Sequence, residues 1–273
     1  MEQLSNYKFL KERLCLKDDP LAIFYSSEPP EDGLTVKKGI LPQSGTISED
    51  FDWSNAFKHF FCVMNGINRA RRKRMPFYFS QKNIGCVGGA FYLGFLHKMP
   101  DFIAYYISCG LKEMEGERYL KTPKDSQSFF EAAKPPEAPR PYLVILPLER
   151  LNSDYTPDFV LFLERPEVIS GLIILAQRVT ADWDIIKTPF GAGCTAAIGW
   201  PFIYKKRGEM KAVLGGFDSS ARPYLRIDEL ALSIPWSLFL KMLADSKESF
   251  LITHAWKGIR KRIILSQKRG GKR

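Results

Sequence analysis

Several common signatures are missing from this sequence, and each absence removes a class of function. Only three histidines occur, and no Cys-x-x-Cys appears, so the standard zinc and iron–sulfur ligand runs are excluded. Neither Gly-x-Gly-x-x-Gly nor the Walker pattern is present, which argues against a nucleotide site built on a glycine loop. Helix-turn-helix, RNP-type and zinc-finger signatures are absent too, so nucleic acid is not an expected partner. No uncharged apolar run is long enough to span a membrane; the longest candidate, residues 84–96, is short and studded with glycine. Five cysteines are an odd number, and the first residues soon carry Lys8, Lys11, Glu12 and Arg13 with no apolar segment behind them. The expectation is a cytoplasmic protein with reduced thiols and no disulfide framework.

What is present is core-forming material and positive charge. Hydrophobic residues make up 45% of the 273 positions, including 20 Phe and 11 Tyr, enough for one large domain or two packed halves. The net charge is +10. It concentrates at Arg69 to Arg74, at Lys205 to Arg207, and from Lys257 into the basic tail. Such clusters attract anions, so an anionic small molecule or cofactor is one expected partner. Solvated helix faces are the plainer reading.

Periodicity gives a coarse order of elements. Leu4, Tyr7, Leu10 and Leu14 recur at helical intervals over residues 3–16, and residues 20–25 read as a strand. A loop is expected over 26–52, a helix over 53–72, a strand at 77–79, and a helix ending near Lys134. The cluster Pro135, Pro136, Pro139, Pro141 marks a boundary, dividing an N-terminal half, 1–134, from a C-terminal half, 135–273. Beyond it, residues 142–146 and 159–163 read as strands and 166–179 as a helix with proline suitably early. Further strands are expected at 183–187 and 211–214, and helices at 235–244 and 249–265.

The halves echo one another in the order strand, helix, Gly-Cys turn. Arg69 precedes Gly85-Cys86-Val-Gly88-Gly89, and Arg178 precedes Gly193-Cys194-Thr, at intervals of about 17 and 16 residues. The predicted class is therefore α+β, two related α/β halves packed as one compact unit. A cysteine among small residues before an apolar helical run meets unpaired N–H groups, which lower a thiol's pKa. The same geometry also suits an anion. The bland alternative is a buried cysteine acting as a small hydrophobe. Cys62, three residues after His59 on the expected helix, would share a face with it as a third ligand candidate. A small-residue loop, Gly215 to Arg222, could grip an anion through Ser219 and Arg222, unless Arg222 pairs with Asp228 or Glu229.

Together these residues resemble the uncharacterised family called domain of unknown function 169, DUF169. The resemblance is carried by Pro20-Leu-Ala-Ile-Phe24, Cys62, Gly85-Cys86-Val-Gly-Gly89, Leu93-Gly-Phe95 and Gly193-Cys194. Ser219-Ser-Ala-Arg222 and Asp228 to Pro235 extend it, so it spans roughly residues 10–243. It implies a protein of the kind found mainly in anaerobic bacteria and archaea, and no established activity. The family pattern has a cysteine in the third motif where this chain carries Ser219 or Ser220, which weakens a four-thiol cluster and leaves Cys62, Cys86 and Cys194.

Three functional expectations follow. The first is a cysteine-based site, with Cys62, Cys86 and Cys194 holding a thiophilic metal, an iron–sulfur cluster or another cofactor. The second is a metal-free module for an anionic small molecule, gripped by Gly85, Gly88, Gly89, Gly193, Ser219 and Arg222. The third is an enzyme with Cys86 as catalytic nucleophile.

Overall fold

The computed structural model describes residues 2–41, 58–112 and 114–270, without the side chains at 2–4 and 268–270. Its frame is one seven-stranded sheet in the order β2-β5-β1-β6-β9-β8-β7. The strands are β1 (Leu21–Ser26), β2 (Phe77–Ser80), β5 (Tyr142–Pro147), β6 (Phe159–Glu164), β7 (Ile186–Lys187), β8 (Ala212–Gly215) and β9 (Leu230–Pro235). A separate two-stranded hairpin pairs β3 (Gly110–Leu111) with β4 (Met114–Glu115). Every pairing in the main sheet is antiparallel except β7 with β8.

Alternation along the strands sends side chains to two buried faces. Leu21, Ile23, Leu143, Ile145, Phe159 and Leu161 enter one core, whereas Ala22, Phe24, Val144, Leu146, Val160 and Phe162 enter the other. The second core is closed by α1 (Glu2–Leu14), α6 (Pro166–Thr180), α8 (Trp236–Asp245) and α9 (His254–Gly270), through Leu10, Leu172, Phe239 and Trp256. The first is closed by α2 (Val63–Lys73), α3 (Val87–Tyr92), α4 (Asp101–Tyr106), α5 (Pro123–Ala132) and α7 (Trp200–Lys206). Thr122 starts α5 with a capping box, its hydroxyl accepting from the Asp125 N–H while the Asp125 carboxylate accepts from the Thr122 N–H. α7 is entered through a π-helical turn, Thr195–Gly199. Pro201 has no N–H to offer the carbonyl of Ala197, which loosens the winding just before it.

The sheet has an internal near-symmetry. On one side the spatial order is β1-β5-β2 and on the other β6-β9-β8, each set first, third, second in chain order. β1 and β6 meet antiparallel at the centre, Leu21 opposite Leu161 and Ile23 opposite Phe159. The change from one set to the other falls between β5 and β6. The division expected at the proline cluster, between 134 and 135, cuts β5 from its partners β1 and β2 instead. The prolines lie in the loop between α5 and β5.

Other expectations shift as well. The helix expected over 53–72 begins only at Val63, because residues 58–62 form a turn and a bridge; residues 53–57 lie outside those described, as does much of the expected loop at 26–52. The expected strand at 183–187 is reduced to Ile186–Lys187. The expected basic clusters are partly drawn into other contacts, while Arg72, Lys73 and Arg74 stay exposed. Arg71 is buried against Glu229 at 2.7 Å, Arg69 lies over the Phe61 ring, and Arg260 and Arg262 pair with Glu12 and Glu167. Among the described residues no helix is long and apolar enough to cross a membrane.

Candidate functional site

Three cysteines arrive at one cavity because glycines let their backbones approach closely. Phe61 N–H donates to the Gly85 carbonyl at 2.7 Å in an isolated antiparallel bridge, which sets the following Cys62 and Cys86 near one another. A Cβ on Gly85 would lie 2.6 Å from Phe61 Cβ. One on Gly89 would lie 2.5 Å from Val63 Cγ2, so α3 packs tightly on the start of α2. One on Gly193 would lie 2.5 Å from Ala221 Cβ and 2.9 Å from Met64 Cγ. Each contact is closer than real Cβ atoms show, so a side chain at any of the three positions would force its neighbour to shift.

The cavity, partly open to solvent, has a volume of about 510 Å³ on the first core's side of the sheet. Cys62, Cys86 and Cys194 all line it, together with Gly88, Gly89 and Gly193. Met64, Met99 and Met114 add thioether sulfur, and Glu117 and Asp218 add carboxylates. The rest is largely aromatic, including Tyr92, Phe102, Tyr106, Phe129 and Tyr224. Much of this wall comes from residues 99–130, a stretch whose elements arch over the first core.

Each thiol stands at the beginning of a helix. Cys62 caps α2 with extended backbone, and Cys86 caps α3, its Sγ accepting the Gly89 N–H at 3.3 Å. Cys194 sits at the entrance to the π-helical turn. Helix starts were expected to lower thiol pKa values; here all three are raised. Burial pushes Cys86 up to about 12, reinforced by Cys62 and opposed by the Gly89 and Gly88 N–H groups. Burial also raises Cys194 well above the ordinary thiol range, with Cys86, Cys62 and Asp218 adding to it. Cys62 is raised by burial first, against bonds from the Met64 and Asn65 N–H groups. Desolvation outweighs the helix ends, with Cys62 adding to the rise at Cys86 and both adding to it at Cys194.

The echo seen in the sequence has a different partner assignment in space. Cys62 and Cys194 each open the helix leading into the second strand of their set, α2 into β2 and α7 into β8. The place after β2, held by Cys86, corresponds to the place after β8, held by Asp218, Ser219 and Ser220. That is the motif in which the chain departs from the resembled pattern. Ser220 lines the cavity; Ser219 points to the Tyr119 hydroxyl instead.

Several expected contributors lie elsewhere. His59 is exposed in the turn before α2, so the proposed His59–Cys62 helix face does not form. Arg222 is not a wall residue. Its guanidinium donates to the carbonyls of Gly216, Glu229, Arg226 and Ile227, clamping the loop rather than gripping an anion. Gly85 acts behind the wall, in the bridge to Phe61. Among the described residues no three His, Cys, Asp or Glu side chains form a group able to hold a metal ion. Glu117 gave no signal in the sequence, since a lone glutamate in a polar stretch has no periodicity or motif. Burial raises its pKa, Asp218 adds to this, and a hydrogen bond from Tyr106 opposes it.

A compact α+β protein with a mixed seven-stranded sheet and a partly open, sulfur-lined cavity is the class these features define. The chain belongs to the DUF169 family, described as Uncharacterised ArCR, COG2043, whose model matches residues 9–245. No curated protein and no solved structure matches it.

Proposed function

We propose that this chain binds a small organic molecule or cofactor in the cavity, with Cys62, Cys86 and Cys194 as part of its contact surface. The observation that carries the reading is a cavity of about 510 Å³, apolar and aromatic, at which three thiols from distant parts of the chain meet. That size suits a ring-containing molecule, and such sites combine apolar walls with a few placed polar groups. Gly88 offers a direct test, because a Cβ there would meet only Tyr92 Cε2 at 3.8 Å and the residue lines the cavity. Nile red, a neutral apolar dye, should brighten on the wild-type chain and not on a folded Gly88→Leu variant. Equal brightening of both would refute the reading.

Ligation of a thiophilic metal or an iron–sulfur cluster by the three cysteines is the second reading, favoured by their lining one cavity. It requires the thiols to close further on the metal than they stand here. Metal and acid-labile sulfide analysis of anaerobically purified protein tests it. Stoichiometric metal lost in a Cys86→Ser, Cys194→Ser variant would support it, and metal content indifferent to that variant would refute it. Nucleophilic catalysis by Cys86 is disfavoured, since a thiol raised to about 12 is almost wholly protonated near neutrality.

A further inference from the structure

We propose that the occupant of this cavity is an organic cation, an amine or quaternary ammonium carried on an apolar body. This rests on the cavity being a binding site and adds the charge of what it binds. The first observation is the wall's electrostatic sign. Glu117 and Asp218 face the cavity, and its described lining contains no lysine or arginine, although the chain as a whole carries a net charge of +10. The nearby guanidiniums are committed elsewhere, Arg71 to Glu229 and Arg222 to backbone carbonyls.

The second observation is an unanswered acceptor. Asp218 is only 7% exposed. Its Oδ2 accepts the Ser220 hydroxyl and the Ala221 N–H, but its buried Oδ1 has no partner among the described residues. A buried carboxylate oxygen left unpaired is costly, and a cationic N–H donor or an adjacent ammonium would relieve that cost. Glu229, the neighbouring buried carboxylate, shows the contrast, being served by Arg71 and Arg226.

The third observation is the aromatic content. Tyr92, Tyr106, Tyr119, Phe129, Phe190 and Tyr224 all contribute to the wall. Aromatic faces attract cations, most strongly where water is excluded. An anion would meet two carboxylates and three thiols there and no compensating cation. A bare metal ion would use the acids but leave the aromatic wall unexplained. An apolar body bearing positive charge uses both.

Isothermal calorimetry on the full chain with three matched probes tests the proposal: phenyltrimethylammonium, its neutral carbon isostere tert-butylbenzene, and benzenesulfonate. The cation should bind about tenfold or more tighter than the isostere, and the sulfonate not measurably. Asp218→Asn and Glu117→Gln should each reduce the preference for the cation while Nile red binding persists. Retained Nile red binding with equal affinity for cation and isostere, or tighter binding of the sulfonate, would overturn the charge assignment and leave the cavity reading standing. Failure of every probe, with Nile red indifferent to Gly88→Leu, would remove both.

Discussion

Glu164, in the central strand β6, is 5% exposed, and its surroundings set a pH dependence for the whole fold. Burial raises its pKa from 4.5 to about 7, helped by the charges of Glu229 and Asp18 and opposed by the Lys17 and Arg165 N–H groups. A carboxyl that binds its proton more tightly when folded favours the fold most at low pH. That advantage is lost as pH rises from the unfolded value through the folded one, a loss of roughly 3 kcal/mol. Glu164→Gln keeps an acceptor for the Lys17 N–H and has no proton to lose. Urea titrations near pH 5 and near pH 8 should therefore show the wild type losing more stability than the variant. Equal losses would contradict the assignment. At this same scale, Cys86 and Cys194 stand out in the sequence by their glycine neighbours and Cys62 by its spacing from His59, whereas the surroundings of Arg222 are not legible there. Sequence spacing identifies a guanidinium beside an acidic pair, but it cannot reveal that four carbonyls of the loop turn toward it.

At the scale of elements, α3 and its two adjacent glycines separate two kinds of constraint. A Cβ at Gly88 would make an ordinary contact with Tyr92 Cε2 at 3.8 Å, whereas one at Gly89 would strike Val63 Cγ2 at 2.5 Å. Gly88→Ala should stabilise the chain by about 0.5 kcal/mol, from reduced freedom of the unfolded state and better helix propensity. Gly89→Ala should destabilise it by about 1–3 kcal/mol through overpacking, and should move Cys86 relative to Cys62. Thermal unfolding of the two variants checks the opposite signs, and destabilisation of the same size in both would contradict this account of the packing. The strands with strong β-branched and aromatic runs, β1, β5 and β6, could be read directly. The short elements could not. α4, the β3–β4 hairpin and the π-helical entry to α7 have too few residues to express a period, yet the first two supply wall to the cavity. β9 carries the family resemblance over Asp228 to Pro235 but gives no clear strand signal in the sequence, because acids stand directly before the run Leu230 to Ile234.

On the scale of the molecule, the sheet binds the two sets of strands into one cooperative object. β5 lies between β1 and β2 and pairs with both, so a chain ending at residue 134 would leave those two strands without their shared partner. A 1–134 fragment should be unfolded by circular dichroism at temperatures where the full chain is native, and a folded fragment would refute the single-sheet account. The repeat read from the sequence pairs Cys86 with Cys194, and the order of strands across the sheet offers a second alignment. By neighbouring residues Cys86 matches Cys194, whereas by sheet position β2 matches β8, which sets Cys62 against Cys194 and Cys86 against the Asp218 loop. Only the order of strands across the sheet distinguishes the two alignments.

The convergence of Cys62, Cys86 and Cys194 on one cavity is the claim from which the site, its occupant and its chemistry all follow. The direct measurement is short-range thiol crosslinking of the folded chain with dibromobimane at alkaline pH, in a Cys15→Ser, Cys109→Ser background, followed by peptide mapping. The account predicts bridged peptides joining Cys86 to Cys62 or to Cys194, and none after unfolding. Single adducts alone in the folded protein, with no bridge among these three residues, would contradict it.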